Sequence, residues 1–387
     1  MFIHRKIIAH LRQMLDKFPV VFLTGPRQSG KTTLMKEFFK DYKYFNLERI
    51  DLREIILSDP IGFLKNAGDK VIIDEAQNIP ELFSYIQVFS DERGTTGQYI
   101  LSGSQSFLLN EKISQSLAGR VSINHLLPFD ISELPKEITK DYLSLIFSGF
   151  FPRIFHHKIN PNDFYPSYLQ TYIERDIRTL KAVENLNTFT RFLTLCAGRT
   201  GQILNLTSIA NDTGISVNTV KSWLSLLEAS YIIFLLKPYH NNFNKRVIKA
   251  PKLYFYDTGI VCSLLRINDE KSVKVHHLYG ALFENFVISE IIKLFYHSGK
   301  QPQIYYYKES NGKEIDCIIE KSFNNIIALE IKGGETFNKD YLKNFSVFSE
   351  SNFSQVKKYL LFPEAKNTQI EDIYLFNWNG IEEIINN

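Results

Sequence analysis

The sequence predicts an α/β protein whose first domain is built on a parallel sheet and whose last domain is a second, smaller α/β unit. Short apolar runs alternate with helical patterns from residue 20 to about residue 135, as a parallel sheet requires. The pattern is then largely helical to about residue 274, and a helix followed by strands and turns occupies the remainder. A chain of 387 residues exceeds one typical core, so a modular protein is expected.

Four segments follow from this pattern. Residues 1–135 are predicted to form the parallel-sheet domain, with strands at 20–23, 43–47, 71–73, 99–101 and 121–127. Residues 136–187 lose the strand signal and are predicted to be a helical lid or connector. Residues 188–274 and 275–387 are predicted to be two further domains.

The first predicted strand runs into a loop of the form G-x-x-x-x-G-K-T and then into a helix. The glycines let backbone N–H groups turn inward on an anion, and the following helix presents its positive end to it. Lys31 is expected to reach the outer phosphates, and Thr32 is expected to ligate Mg²⁺. The sequence therefore predicts ATP binding in a phosphate cradle formed by Gly25, Pro26, Arg27, Gln28, Ser29, Gly30, Lys31, Thr32 and Thr33.

Two acidic residues follow the apolar run at residues 71–73, and they could supply the Mg²⁺ ligand and the general base that ATP hydrolysis at the loop requires. Asp74 is expected to hold the Mg²⁺ shell together with Thr32, and Glu75 to orient or deprotonate the attacking water. Small polar residues end the next run, and Ser104, with Ser102 as its nearest competitor, is the predicted sensor of the γ-phosphate. The alternative for such a residue at a strand end is a simple turn former.

A helix-turn-helix pattern lies in the third segment. A short helix is stopped by Gly214, and Ser216 is the predicted N-cap of the next helix. With the strand that follows, the segment resembles a winged helix. The stretch from 237 to 274, which contains Lys252, is rich in cations. The predicted DNA contacts are Asn218, Thr219, Lys221 and Ser222 on the second helix and Lys245 and Arg246 on a wing, with a protein-contact role as the alternative.

An acidic constellation lies in the last segment. Residues two apart on a strand share a face, so a hairpin is expected to bring Asp316, Glu330 and Lys332 together. The carboxylates could hold Mg²⁺, and the lysine could stabilise developing phosphorane charge. The D…E-x-K pattern resembles the PD-(D/E)xK nuclease fold, which often takes a further metal ligand from the preceding helix, here Glu284. The alternatives are an exposed, charge-paired strand edge or a nuclease-like domain that does not cleave.

Most of the chain resembles a larger family. The phosphate loop, I-I-D-E-A at 72–76, L-S-G-S at 101–104, and S-L-A-G-R at 116–120 followed by L-L-P-F resemble AAA+-type ATPases of bacteria and archaea with a C-terminal nuclease-like domain. The resemblance implies a homo-oligomer in which Arg120 acts as a finger on the neighbouring subunit's nucleotide; an ordinary surface arginine is the alternative. Arg153 and Arg175 are both conceivable as a second sensor.

Composition bounds the function without deciding it. A net charge of +3 is too mild to indicate a polyanion partner, and three cysteines far apart indicate neither a zinc site nor a disulfide framework. No apolar run approaches the ~20 residues that span a bilayer, and a cytoplasmic protein without a membrane partner is expected. The predicted function is Mg²⁺-dependent ATP hydrolysis, DNA engagement and possible DNA cleavage. The alternatives are a regulatory switch with a non-cleaving interaction platform and, more weakly, a small-molecule kinase.

Overall fold

A computed structural model describes residues 3–103, 116–172, 183, 185–239, 249–309, 312–322, 325–348 and 355–386. The chain divides into two compact units. The N-terminal unit comprises Met1–Phe129, Ala229–Tyr231 and Phe295–Gln301, and the C-terminal unit comprises Asp130–Glu228, Ile232–Leu294 and Pro302–Asn387.

The N-terminal unit is built on a five-stranded parallel sheet, which confirms the predicted fold class of the first domain. The strands are β1 (Val20–Thr24), β2 (Lys43–Asn46), β3 (Val71–Asp74), β4 (Tyr99–Gly103) and β5 (Val121–His125). Their order across the sheet is β2-β3-β4-β1-β5, and every neighbouring pair is parallel.

Both faces of this sheet are buried, which explains why its central strands read as continuous apolar runs. Val20 and Phe22 of β1 pack into one core, and Val21 and Leu23 pack into a second core on the opposite face. The helices described in this part of the chain are α1 (Ile7–Leu15), α2 (Lys31–Phe38), α3 (Ile50–Ser58), α4 (Pro60–Ala67) and α5 (Leu82–Arg93), with a 3-10 turn at Ala76–Asn78.

Parallel strands place their carboxyl ends at one edge of the sheet, and that edge positions the predicted nucleotide site. β1 leads into the glycine loop and α2, β3 ends at Asp74, and its neighbour β4 ends at Gly103. Ligands of open α/β sheets bind in the crevice outside such strand ends.

The first part of the C-terminal unit is largely helical. Its elements are α6 (Tyr142–Ser148), α7 (Pro152–His157), α8 (Pro161–Tyr172), α9 (Leu186–Ala197), α10 (Leu206–Thr213), α11 (Val217–Ala229), β6 (Ile233–Leu236), β7 (Lys252–Phe255), α12 (Thr258–Leu264) and α13 (Glu270–Val275), with a 3-10 turn at Ile131–Glu133. β6 and β7 pair antiparallel. Gly214 ends α10 with a left-handed φ of 75°, and the Ser216 hydroxyl accepts a hydrogen bond from the Thr219 N–H at 3.0 Å, so the predicted helix stop and N-cap are confirmed.

The last part contains a mixed six-stranded sheet of order β12-β13-β11-β10-β9-β8. Its elements are α14 (Tyr279–His297), β8 (Ile304–Lys308), β9 (Glu314–Ser322), β10 (Asn325–Ile331), β11 (Gln355–Leu361), β12 (Thr368–Ile370), β13 (Ile373–Phe376) and α15 (Ile381–Asn386), with 3-10 turns at Lys339–Phe348 and Trp378–Gly380. The helix predicted after the third strand is thus the 3-10 segment Lys339–Phe348, which buries residues at 3-10 spacing, Phe345 and Phe348. None of the helices in the described ranges combines the length and the apolar character needed to span a membrane.

Candidate nucleotide site and carboxylate–lysine cluster

Two glycines of the loop occupy backbone conformations that other residues rarely adopt. Gly25 has a φ of 151°, and a Cβ atom there would lie 2.1 Å from the carbonyl oxygen of Leu126. Gly30, which precedes α2, has a φ of 98°. Any side chain at Gly25 would therefore push the loop away from the strand end, and glycine alone lets the backbone pass.

Lys31, the lysine of the motif, is buried within the loop. Its Nζ donates hydrogen bonds to the carbonyl oxygens of Gly25 and Pro26, each at 2.9 Å. These contacts hold a positive charge in the loop that leads into α2, and the amino-terminal end of a helix is a favourable place for an anion.

Arg5 holds the backbone of the loop in place, a role that the sequence analysis did not predict. The residue is 3% exposed, and its guanidinium donates to the carbonyl oxygens of Ser29 at 2.9 Å and Leu127 at 2.7 Å. The guanidinium also lies 4.7 Å from the centre of the Phe129 ring. Nothing local in the sequence signals this role, because α1 and β1 separate Arg5 from the loop.

Asp74 is the centre of a dense hydrogen-bond network. Its carboxylate accepts from the Thr32 hydroxyl at 2.7 Å, from the Tyr44 hydroxyl at 2.6 Å and from the Ser102 hydroxyl. It also accepts from the backbone N–H of Glu75 at 3.1 Å. Burial, followed by the hydrogen bond to Asp74, raises the pKa of Tyr44, so this phenol stays a donor to the carboxylate.

Glu75 has an unusual backbone. Its φ is 55°, the left-handed region, and the 3-10 turn Ala76–Asn78 follows it directly. Its carboxylate accepts a hydrogen bond from the Gln77 side-chain amide. A non-glycine residue in this region costs about 1–3 kcal/mol, and such strain is typical of functional positions.

The other predicted residues of the nucleotide site have mixed outcomes. Ser104 and Arg175 lie outside the described residues, whereas Ser102 contacts Asp74 directly. Arg120 forms a two-pronged ion pair with Asp91 of α5, at 2.6 and 2.8 Å. Arg153 is exposed on α7.

Three of the four predicted DNA contacts that the structure describes are exposed. Asn218, Lys221 and Ser222 are exposed near the start of α11, whereas Thr219 is half-buried and contacts Ser216. The two wing residues, Lys245 and Arg246, lie outside the described residues.

The predicted carboxylate–lysine cluster comes together in the C-terminal unit. β9 and β10 form the expected hairpin, with Leu329 opposite Cys317. Lys332 Nζ lies 2.6 Å from Glu330 Oε1 and 3.7 Å from Asp316 Oδ2. Asp316 Oδ2 also accepts the backbone N–H of Ile331 at 2.8 Å. The spacing argument therefore correctly paired these three charged side chains.

A second lysine, which sequence reasoning placed in a cation-rich stretch near the DNA contacts, lies inside this cluster instead. Lys252 begins β7, and its side chain is only 4% exposed. Its Nζ lies 2.9 Å from Glu284 Oε1, contacts Glu314, and is 3.8 Å from Asp316 Oδ1. The Tyr254 hydroxyl donates to the same Glu284 oxygen. Position in a cationic stretch was thus a misleading signal for Lys252.

Burial dominates the electrostatics of the cluster. It raises the pKa of Glu330 to about 8, with Asp316 adding to the effect, and it raises the pKa of Glu284. The pKa of Lys252 nevertheless lies well above its usual value, because the surrounding phenol and carboxylates outweigh its own burial.

Three family matches cover most of the chain. Residues 17–135 match the family described as "AAA domain". Residues 139–271 match "Domain of unknown function (DUF8612)", and residues 279–380 match "Domain of unknown function (DUF4143)".

Relatives that match most of the chain include two mycobacterial proteins. "Uncharacterized protein Mb2031c" of Mycobacterium bovis and "Uncharacterized protein Rv2008c" of Mycobacterium tuberculosis are each 31% identical over 323 residues, 82% of this chain and 71% of the relative. "Uncharacterized protein MJ1637" of Methanocaldococcus jannaschii is 23% identical over 382 residues, 85% of this chain and 78% of the relative.

Solved structures give partial likenesses. The Walker-type ATPase paby2304 of Pyrococcus abyssi aligns with a TM-score of 0.46 and 14% identity, over 67% of this chain and 95% of that chain. AMPPCP-bound DnaA from Aquifex aeolicus aligns with a TM-score of 0.30 and 14% identity, over 57% and 85%.

Proposed function

This chain belongs to the same family as the two mycobacterial proteins and contains an AAA-type ATPase domain, and we propose that this domain binds ATP with Mg²⁺ and hydrolyses it. The observation that carries the proposal is the network at Asp74, which joins Thr32 of the loop to Ser102 of the neighbouring strand. Phosphoryl transfer to water depends mainly on positioning and on electrostatic stabilisation, and this edge of the sheet supplies groups for both.

Each residue of the site has a distinct task in the proposal. Lys31 exchanges its two loop carbonyls for the outer phosphate oxygens when ATP enters. Glu75 orients the attacking water or accepts its proton. The hydroxyl of Thr32 and the carboxylate of Asp74, 2.7 Å apart, are hard oxygen donors that fit Mg²⁺ and would hold it. When bound, the ion neutralises the charge that develops on the phosphate oxygens.

A titration with a fluorescent ATP analogue tests nucleotide binding. Lys31→Ala removes charge-assisted hydrogen bonds worth about 1.5–3 kcal/mol, so its dissociation constant should rise by roughly 10-fold to 100-fold. Lys65→Ala, an exposed lysine of the same domain, is the matched control and should bind as the wild type does. Undiminished affinity in Lys31→Ala would refute the assignment of the loop.

A homo-oligomer with Arg120 as a finger on the neighbouring nucleotide is part of the same proposal. Arg120 is held by Asp91 in the single chain, and an exposed ion pair of this kind contributes little to stability. The guanidinium can therefore exchange Asp91 for a phosphate on an adjacent subunit.

The proposed partner of the helix-turn-helix region is DNA, supported by the exposed face of Asn218, Lys221 and Ser222.

The C-terminal cluster has a second candidate function. Glu284, Asp316, Glu330 and Lys332 match the pattern of a metal-dependent nuclease in residue type. However, a divalent ion does not fit the arrangement as it stands, because the buried ammonium group of Lys252 lies among the carboxylates. We therefore propose a non-cleaving role for this domain, as part of an ATP-controlled regulatory switch. We expect negligible plasmid nicking by both the wild type and Asp316→Ala. Nicking by the wild type that is lost in Asp316→Ala would instead support the assignment of this domain as a nuclease.

A further inference from the structure

We infer that Lys252 is the resident cation of the C-terminal carboxylate cluster and takes the place that a divalent metal ion would need. The inference deepens the proposed non-cleaving role of this domain and rests on it. Lys252 comes from β7, in the stretch before α14, so it is not part of the D…E-x-K pattern that predicted a metal site. Its position was visible only once the fold brought β7 to the cluster.

The contacts of the ammonium group are those of a central cation. Lys252 Nζ lies 2.9 Å from Glu284, contacts Glu314, and is 3.8 Å from Asp316, so three carboxylates surround one positive charge. An ammonium group satisfies carboxylates at hydrogen-bond distances near 2.8 Å, whereas Mg²⁺ requires oxygens at about 2.0–2.1 Å. The carboxylates here are spaced for the ammonium group.

The charge of the cluster leads to the same conclusion. Four acidic side chains, those of Glu284, Glu314, Asp316 and Glu330, face three lysines, which are Lys252, Lys308 and Lys332, so the positive charges nearly balance the negative ones even when every acid is ionised. A divalent ion that entered beside these lysines would meet their repulsion and find most of the negative charge already compensated. Metal binding therefore requires Lys252 to leave.

Removing the charge of Lys252 should accordingly open a metal site. In Lys252→Met, the carboxylates of Glu284, Glu314 and Asp316 lose their common partner while a side chain of similar length keeps the packing. Uncompensated buried carboxylates attract a hard cation, and Mn²⁺ is a convenient probe of such oxygen sites.

The test is a Mn²⁺ titration of the nucleotide-free full chain, followed by electron paramagnetic resonance. The wild type and Asp316→Asn should have indistinguishable binding curves. Lys252→Met should gain a site roughly 10-fold or more tighter than any in the wild type, and Lys252→Met/Asp316→Asn should lose it. Lys308→Met is the matched control: it removes a lysine that contacts the outer carboxylate Glu314 and leaves Lys252 in place, so no site should appear.

Two outcomes would overturn the inference. One is a Mn²⁺ site in the wild type that Asp316→Asn abolishes, and this comparison stands even if Lys252→Met fails to fold. The other is a folded Lys252→Met that gains no site. Thermal unfolding gives a second readout, because Mn²⁺ should raise the melting temperature of Lys252→Met and leave that of the wild type unchanged. ATP plays no part in these measurements, so they stand or fall separately from the proposed ATPase.

Discussion

Substitution of Arg5 tests whether contacts outside the sequence motif keep the phosphate loop in shape for binding nucleotide. Arg5 holds the backbone of the phosphate loop at Ser29 and the backbone just after β5 at Leu127. In Arg5→Met, both carbonyl oxygens lose a charged donor while the apolar packing over Phe129 is largely kept. The loop should then be less rigid and less well shaped for an anion.

The magnitude follows from the two hydrogen bonds. Bonds to charged groups contribute about 1.5–3 kcal/mol each, so Arg5→Met should lower the free energy of unfolding by roughly 3–6 kcal/mol. Part of this loss should appear in nucleotide affinity, because a preorganised loop no longer has to be ordered when ATP binds. A weakening of ATP binding by about 10-fold corresponds to only ~1.4 kcal/mol of that total.

Urea denaturation followed by circular dichroism measures the stability, and a fluorescent-nucleotide titration measures the affinity. The matched control is Arg12→Met, which removes an exposed arginine from α1 and should change neither quantity appreciably. If Arg5→Met unfolds at the wild-type urea concentration and binds nucleotide equally well, the guanidinium does not support the loop.

Two further predictions concern the C-terminal unit. Burial raises the pKa of Glu330 to about 8, so the folded chain holds this proton more tightly than the unfolded chain; the resulting stability is complete below about pH 4.5 and is lost as the pH rises through about 8. Urea unfolding followed by Trp223 and Trp378 fluorescence, since both tryptophans lie in this unit, should show that decline in the wild type and a smaller one in Glu330→Gln; equal slopes would contradict it. Lys221→Glu should weaken DNA binding in a gel-shift series and lower the salt slope by about one, whereas Lys339→Glu should not; an unchanged slope in Lys221→Glu would remove α11 from the interface.

Short-range sequence patterns correctly predicted the first strand, the glycine loop that follows it and the β-hairpin that carries the charged cluster. The run at Val20–Leu23 is apolar throughout because both faces of its sheet are covered, and glycine is required at position 25 because a Cβ there would collide with Leu126. The pairing of Asp316 with Lys332 followed from strand alternation and a hairpin.

The residues that were missed act through contacts between distant parts of the chain. Arg5 reaches Leu127, 122 residues away, and Lys252 reaches Glu284, 32 residues away. Tyr44 looked like any aromatic residue of a strand, although its hydroxyl contacts Asp74. No periodicity or motif encodes such contacts, because they depend on which element the fold places beside the site.

The most direct test of the central claim is phosphate release from Mg-ATP by the purified full chain, compared between the wild type and Glu75→Gln. Glu75→Gln keeps the size of the side chain and removes its ability to act as a base, so it should retain ATP and lose turnover. Glu54→Gln, an exposed glutamate on α3, should hydrolyse ATP at the wild-type rate. Wild-type turnover in Glu75→Gln, or no phosphate release from the wild type, would contradict the account.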